Sequence, residues 1–416
     1  MNVDNVNRIK RVLPKGSGSE QSLTTTGWSL LNEEVSLPAA VLYQSRLDNN
    51  LQWMRRFTRQ QRVQLAPHGK TTMAPALFAQ QFAAGAWGLT LATAVQVAVA
   101  YSHGIRRVLM ANQLVGKRNM TIISELLTRA DLDFYCLVDS VENVRELGDF
   151  FAQRGQQLQV LLEIGVAGGR CGCRTRKAVD DLVSAIASYP SLILAGVETY
   201  EGVIHGDDAE TRIRSHLRMV KDTCIDLFER GAFAVPQILL TGAGSAWYDL
   251  VAEIFGAEMD SRIVPVIRPG CYLIHDHGLC QSGQEKIMLR STAAAQVGGD
   301  LQSSLEIWAY VQSIPEPGYA IVGMGKRDVA FDAGLPMPAL HFRPGSKAPV
   351  AAGTDWVVSS MMDQHAALTF TVGDDLKVGD IIAFATSHPC LTFDKWQQLC
   401  VIDNDYSVVD VIHTYF

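Results

Sequence analysis

The sequence predicts an α/β fold, a parallel TIM (β/α)8 barrel followed by a C-terminal antiparallel β domain. Three observations carry this expectation. Eight short apolar runs recur between residues 62 and 268, stretches of helical period separate them, and the texture changes after residue 275. The runs are RVQLA (62–66), WGLTL (87–91), RVLMAN (107–112), DFYCLVD (133–139), LQVLLEI (158–164), LILAGVE (192–198), QILLTG (237–242) and RIVPVIR (262–268). They are continuous rather than alternating, as strands covered on both faces must be. Between them lie helix-like segments such as 93–104, 141–155 and 208–231, several of which end on glycine. Glycine is the residue best suited to the left-handed turn past a helix end. Eight such units in about 210 residues fit a closed barrel better than an open doubly wound sheet. Beyond 275, Gly- and Pro-punctuated β-branched runs such as LEIWAYVQSI, GDIIAFAT and VVDVIHTYF predict the β domain. The expected boundaries are 38–275 for the barrel and 276–416 for the β domain, to which residues 1–37 add a strand.

Composition narrows the function. A chain of 416 residues exceeds one ordinary core and suits two domains. Hydrophobic residues at 48% and charged residues at 19% match a soluble enzyme. A formal charge of −7 leaves no basic stripe for a nucleic-acid partner. No apolar run reaches the length of a membrane span, and the first twenty residues contain no apolar leader segment. The eight cysteines are scattered without a disulfide framework, which suits a reducing cytoplasm.

In a barrel the site lies on the loops after the strands. Here these include PHGK (67–70), GVAGGRCGCR (165–174), TYEG (199–202), TGAGSAW (241–247) and RPGCY (268–272). Lys70, beside Gly69 at the mouth of the first strand, is either a surface lysine on a turn or a functional group. The TGAGS turn can bind an anion: Gly242 and Gly244 let the backbone approach it, and Ser245 can cap and donate. A lysine on one wall and a phosphate turn on the opposite wall suit a phosphorylated aldehyde held covalently, and pyridoxal phosphate fits.

A second constellation is SHPC. His388 and Cys390 are at i and i+2, on one face if the segment is extended. Imidazole and thiolate favour zinc, and two ligands would leave positions open for water and substrate. A buried Cys beside an ordinary His is the alternative. Other candidates are weaker. CGC (171–173) more often has no metal role, and HDH (275–277) reads as a solvated polar turn. Asp363 and His365 either orient a metal or substrate from behind or form a polar strand edge.

The barrel, PHGKT, RPGCYLIHD, FDAGLPM and the late SHPC together resemble the D-serine dehydratase and D-threonine aldolase family. These are fold-type III pyridoxal-phosphate enzymes with an alanine-racemase-like barrel, and the likeness runs from about residue 38 onward. The resemblance implies that Lys70 holds pyridoxal 5′-phosphate; His68 beside it either contacts the cofactor side of the pocket or braces the turn. The resemblance places Arg170 beside the cofactor and Tyr200 near its ring. Gly242, Ala243, Gly244 and Ser245 would bind phosphate, with Gly270 and Tyr272 completing the cradle. His388 and Cys390 match the divalent-metal site, zinc by its donors, of the dehydratase branch; the aldolase branch tends to carry aspartate where Cys390 stands. The chain departs from the pattern at Gly69, where relatives carry bulk, and at Thr72, where a second histidine is common. Gly69 is expected to keep space open beside the cofactor.

The implied reaction is β-elimination of water from D-serine or a related D-3-hydroxy amino acid, giving a 2-oxo acid and ammonia. D-threonine-aldolase-type retro-aldol cleavage is the alternative enzyme, and a non-catalytic pyridoxal-phosphate-binding protein the alternative of another class. The resemblance also implies a homodimer.

Overall fold

The computed structural model describes residues 14–18 and 26–416. Residues 1–13 and 19–25 carry much of the expectation of no leader and part of the expected N-terminal strand, and they lie outside the described set. The chain divides into two compact units. One takes Leu51–Tyr272 and Gly283–Asp300; the other takes the residues up to Asn50, Leu273–Ser282 and Leu301–Phe416. The first strand, β1 (Ala39–Tyr43), belongs to the second of these units.

The first unit is the expected barrel. Its strands are β2 (Gln64–Leu65), β3 (Leu89–Leu91), β4 (Arg107–Gln113), β5 (Asp133–Val138), β6 (Leu158–Ile164), β7 (Leu192–Thr199), β8 (Ile238–Gly242) and β9 (Ile263–Ile267). All pairings are parallel and follow chain order from β3 to β9, and β9 then pairs with β2. Closure comes from backbone contacts between the first two barrel strands. Trp87 N–H donates to the Leu65 carbonyl at 2.7 Å, Thr90 N–H to Pro67 at 2.9 Å, and His68 bridges Thr90.

Three barrel helices start where a side chain takes an orphan N–H. Thr93 accepts from Gln96 N–H, Ser140 from Asn143 and Thr175 from Ala178. The helices Ala94–Ser102, Val141–Ala152 and Ala209–Glu229 are followed by Gly104, Gly155 and Gly231, all at positive φ. The barrel interior is a packed layer of Ala66, Leu109, Ala111, Tyr135, Leu137, Leu161, Ala195, Leu239 and Val266. It is a floor, not a pore.

The second unit is a ten-stranded, mostly antiparallel sheet. Its further strands are β10 (Leu305–Glu316), β11 (Tyr319–Val322), β12 (Met337–Phe342), β13 (Val350–Ala351), β14 (Val357–Met361), β15 (Ala366–Thr369), β16 (Ile381–Ala385), β17 (Gln398–Ile402) and β18 (Val408–His413). The main path runs β13-β12-β16-β10-β1-β17-β18. β1 lies antiparallel to β10 and parallel to β17. Residues 14–18 and 26–37 contribute isolated bridges, Gly18 to Val35 and Ser29 to Ser407, rather than a strand. The core collects Val41, Trp308, Phe342, Ile381, Cys400 and Ile402 around one buried acid. That acid, Glu306, accepts from Tyr43 Oη at 2.6 Å, Trp308 Nε1 at 3.1 Å and Arg46 at 3.2 Å. Such a carboxyl is tolerated inside because three side chains donate to it. None of the eight cysteines forms a disulfide, and no helix among the described residues is long and apolar enough to cross a membrane.

Candidate active site

Strand alternation places a polar layer directly above the apolar barrel floor. Two positions beyond Ala66, Ala111, Leu137, Leu161, Leu239 and Val266 stand His68, Gln113, Asp139, Glu163, Thr241 and Arg268. Glu198 joins them in register opposite Glu163. Arg268 forms a buried ion pair with Glu198 and donates to the Thr199 carbonyl at 3.1 Å. Four buried polar atoms in this layer have no hydrogen-bond partner: His68 Nδ1, Glu198 Oε2, Thr241 Oγ1 and Arg268 Nε. An unmet buried donor or acceptor costs about 1–3 kcal/mol, so four together mark a place built for a polar guest. Burial, then Lys70, Arg268 and Arg170, push the His68 imidazole well below its ordinary range, which keeps it neutral.

The rim gathers most of the expected cofactor residues. Lys70 is exposed on the one-turn helix Gly69–Thr71. The RPGCY turn presses on it: a Cβ at Gly270 would lie 2.7 Å from both the His68 carbonyl oxygen and Thr71 Oγ1. Next along, Cys271 N–H donates to Ser245 Oγ at 3.4 Å. A Cβ at Gly244 would lie 3.0 Å from the Tyr200 ring, and the Arg170 guanidinium sits 4.4 Å over that ring. Lys70 and the TGAGS turn are therefore near neighbours through Gly270 and Cys271, not opposite walls. Barrel closure explains the correction, since β9 pairs directly with β2.

Four expected residues commit their groups elsewhere. Gly242 packs under the helix Tyr248–Phe255, where a Cβ would meet Val251 and Phe255. The Ala243 and Gly244 N–H groups both donate to the buried Glu201 carboxylate, at 3.1 and 2.7 Å. The Tyr272 hydroxyl is buried and accepts from Gln81 Nε2 at 3.3 Å. Gly69 also departs from expectation. A Cβ there would lie 3.0 Å from the Phe78 ring and 3.1 Å from Leu91, so it packs the underside of the turn rather than clearing space beside a cofactor.

The loop after β6 is drawn tight by Arg174, which donates to the carbonyls of Arg170, Cys171 and Gly172 at 2.5–2.8 Å. It places Cys171 with Asp139 and Glu163 so that their ligand-type atoms lie within 4.8 Å of one another. Cys173 instead bridges Ile164 and is buried. Glu163 accepts from Gln113 at 2.6 Å, and burial followed by Glu198 lifts its carboxyl from 4.5 to about 7. A carboxyl raised by folding binds more protons folded than unfolded between those values. Its contribution is therefore fully present below about pH 4.5 and is lost as pH rises through 7, by roughly 3 kcal/mol at most. In the cofactor-free protein, Glu163→Gln is expected to flatten the fall in melting temperature between pH 5 and 8; an unchanged slope contradicts the assignment.

In the β unit, His388 and Cys390 are in hydrogen-bond contact, but not by strand alternation. β16 ends at Ala385, Pro389 is helical, and Cys390 opens the short helix Cys390–Phe393. The Asp332 carboxylate holds the other side of the imidazole, at 2.7 Å from Nδ1. The hydrogen bond to Cys390, then Asp332, raises His388 to about 9. An imidazole beside a thiol suits zinc, and a carboxylate behind a ligating imidazole fixes its orientation. Asp332 lies within FDAGLPM, so the signal was present in the sequence. Asp363 and His365 occupy the exposed β14–β15 hairpin tip, where Asp363 pairs with Arg327 at 3.5 Å. HDH is not the solvated turn expected: His275 and Asp276 are buried, and Asp276 caps Gly278 and Cys280 N–H groups.

The model of the alanine racemase N-terminal domain matches residues 43–274. The chain belongs to that family. It carries the fold-type III pyridoxal-phosphate barrel, followed by a match to the putative serine dehydratase domain over residues 304–402. A D-threonine aldolase of Arthrobacter sp is 24% identical over 374 residues, 88% of this chain and 89% of that one. The D-threo-3-hydroxyaspartate dehydratase of Delftia sp. (strain HT23) is 27% identical over 244 residues, 58% of this chain and 61% of its own length. Its solved structure superposes at a TM-score of 0.72, with 20% identity, covering 93% and 99% of the two chains. Alanine variants of that dehydratase at a histidine and at a cysteine two positions later have been solved, the cysteine variant in the metal-free form. A D-threonine aldolase from Filomicrobium marinum superposes at 0.75, with 22% identity over 94% and 98% of the chains.

Proposed function

We propose that the chain is a pyridoxal-phosphate- and metal-dependent lyase. Its reaction is elimination of water from D-serine or a related D-3-hydroxy amino acid, releasing a 2-oxo acid and ammonia. The observation that carries the elimination reading is the His388–Cys390 pair backed by Asp332. Hydroxide is a poor leaving group, and a reaction that only inverted the α-carbon would have no use for such donors. The same His-x-Cys spacing separates the two varied residues of the Delftia dehydratase.

Four orphaned polar atoms and an exposed lysine at the barrel mouth fit the cofactor. Pyridoxal phosphate, when bound, supplies the electron sink that acidifies the substrate α-proton. Zinc, when bound by His388 and Cys390, supplies Lewis acidity to a hydroxyl leaving group. Lys70 would bond the cofactor covalently and then take the α-proton on Nζ. Arg170 and Tyr200, stacked on each other, orient the bound ring, while Ser245 and the Gly270 turn hold the phosphate end. Neutral His68 adds a polar contact without a competing charge. The proposal includes a homodimer.

A second reading has support of its own. The Arthrobacter relative, matched over 88% of this chain, is a D-threonine aldolase, which favours retro-aldol cleavage using the same donors. D-threonine separates the two. Elimination yields 2-oxobutyrate and ammonia; cleavage yields glycine and acetaldehyde. We expect the first pair, and glycine with acetaldehyde as the sole products would replace the dehydratase reading by the aldolase one.

A further inference from the structure

The TGAGS turn already holds an anion of the protein's own. Glu201, fully buried on the one-turn helix after β7, accepts from two successive backbone N–H groups, Ala243 at 3.1 Å and Gly244 at 2.7 Å. Consecutive amides converging on one carboxylate make the kind of concavity that elsewhere binds phosphate. The turn needs such an anchor. Ala243 sits at φ 93°, a conformation that costs a non-glycine residue strain energy and persists only where neighbours enforce it. Glu201 is that neighbour, and its two acceptor oxygens match the two backbone donors.

The consequence is a division of labour within the turn. With two amides committed to Glu201, the donors left to face an outside anion are the Ser245 hydroxyl and the adjoining RPGCY turn. Ser245 Oγ accepts from Cys271 N–H at 3.4 Å, which leaves its own proton for another acceptor. That contact also ties the two turns into one surface. We infer that Glu201 is a positioning residue for the phosphate of the cofactor: by occupying the Ala243 and Gly244 amides it fixes the turn so that Ser245 and the adjoining Gly270 turn present the phosphate-binding face. This rests on the pyridoxal-phosphate reading above. It assigns Glu201 no contact with the reacting atoms.

The test compares two ligands that differ only in the phosphate. Apoprotein is titrated with pyridoxal 5′-phosphate and with pyridoxal, following absorbance of the bound aldehyde, in wild type, Glu201→Asp and Glu201→Gln. Wild type is expected to prefer the phosphorylated form by about 100-fold or more, since phosphate contacts are charge-assisted hydrogen bonds. Glu201→Gln turns an amide N–H2 toward one of the two backbone donors. It is expected to cut that preference by about tenfold or more while pyridoxal affinity stays within about threefold. Glu201→Asp, which keeps both acceptors, should restore part of it. If Glu201→Gln does not fold, the double variant with Ala243→Gly is read instead, because glycine holds the positive φ without strain. An unchanged preference in the folded variant overturns the inference, as does an equal loss for both ligands, which would mark a purely structural acid. Wild type that binds neither aldehyde would instead refute the cofactor reading itself.

Discussion

Lys70→Ala is expected to yield a folded protein with no covalently held cofactor and with lyase activity lower by about 10⁴-fold or more. Folding should survive because the lysine side chain is exposed and supports no packing. What is lost is chemistry. After borohydride reduction of wild type, the cofactor mass should stay on the peptide that contains Lys70, and the variant should carry none. Lys70→Arg is a sharper control, since guanidinium keeps the charge but neither bonds the aldehyde nor releases a proton near neutrality. Cofactor mass on another lysine of the wild-type protein would remove Lys70 from the centre of the account.

The second large effect is His388→Ala. Deleting the imidazole removes one ligand and leaves the Asp332 carboxylate facing a lone thiol. Divalent metal should fall to near zero by atomic absorption after dialysis, and elimination should drop by about 10³-fold, the scale of losing a Lewis acid worth several kcal/mol. Cofactor binding should be unaffected. Asp332→Asn should be milder, about 10- to 100-fold in metal affinity, as for other groups that orient a ligating imidazole. Undiminished 2-oxo acid production by His388→Ala in metal-free buffer would end the metal's role.

The barrel was legible because its strands are covered on both faces. LILAGVE and QILLTG differ from the observed β7 and β8 by only one residue at an end. β1 was not legible: AAVLY is as continuously apolar as any barrel strand. Only its partners, Trp308 on one side and Cys400 on the other, assign it to the second sheet. Such pairings span more than half the chain and leave no local trace. Lys70, Arg170 and Ser245 stood out by their loops, but the polar layer beneath them did not. Gln113, Glu163, Glu198 and Arg268 lie at or beside the ends of four separate apolar runs and become one layer only when the barrel closes. The reversal at Ala243 and Gly244 has the same origin. Their N–H groups looked free because Glu201, about forty residues earlier, meets them only through the neighbouring β7 and β8. Gly69 misled for a related reason: a glycine beside Lys70 invites a reading about space for a cofactor, whereas its missing Cβ faces Phe78 and Leu91.

One chain is expected to use both a lysine-held cofactor and a metal to expel hydroxide from a D-amino acid. The most direct measurement is pyruvate and ammonia formed from D-serine by the holoenzyme, before chelation, after it, and after zinc is returned. Equimolar pyruvate and ammonia are expected, with loss of both on chelation while the cofactor stays bound, and recovery with zinc. Turnover that persists undiminished after chelation, or L-serine consumed in preference to D-serine, would contradict it.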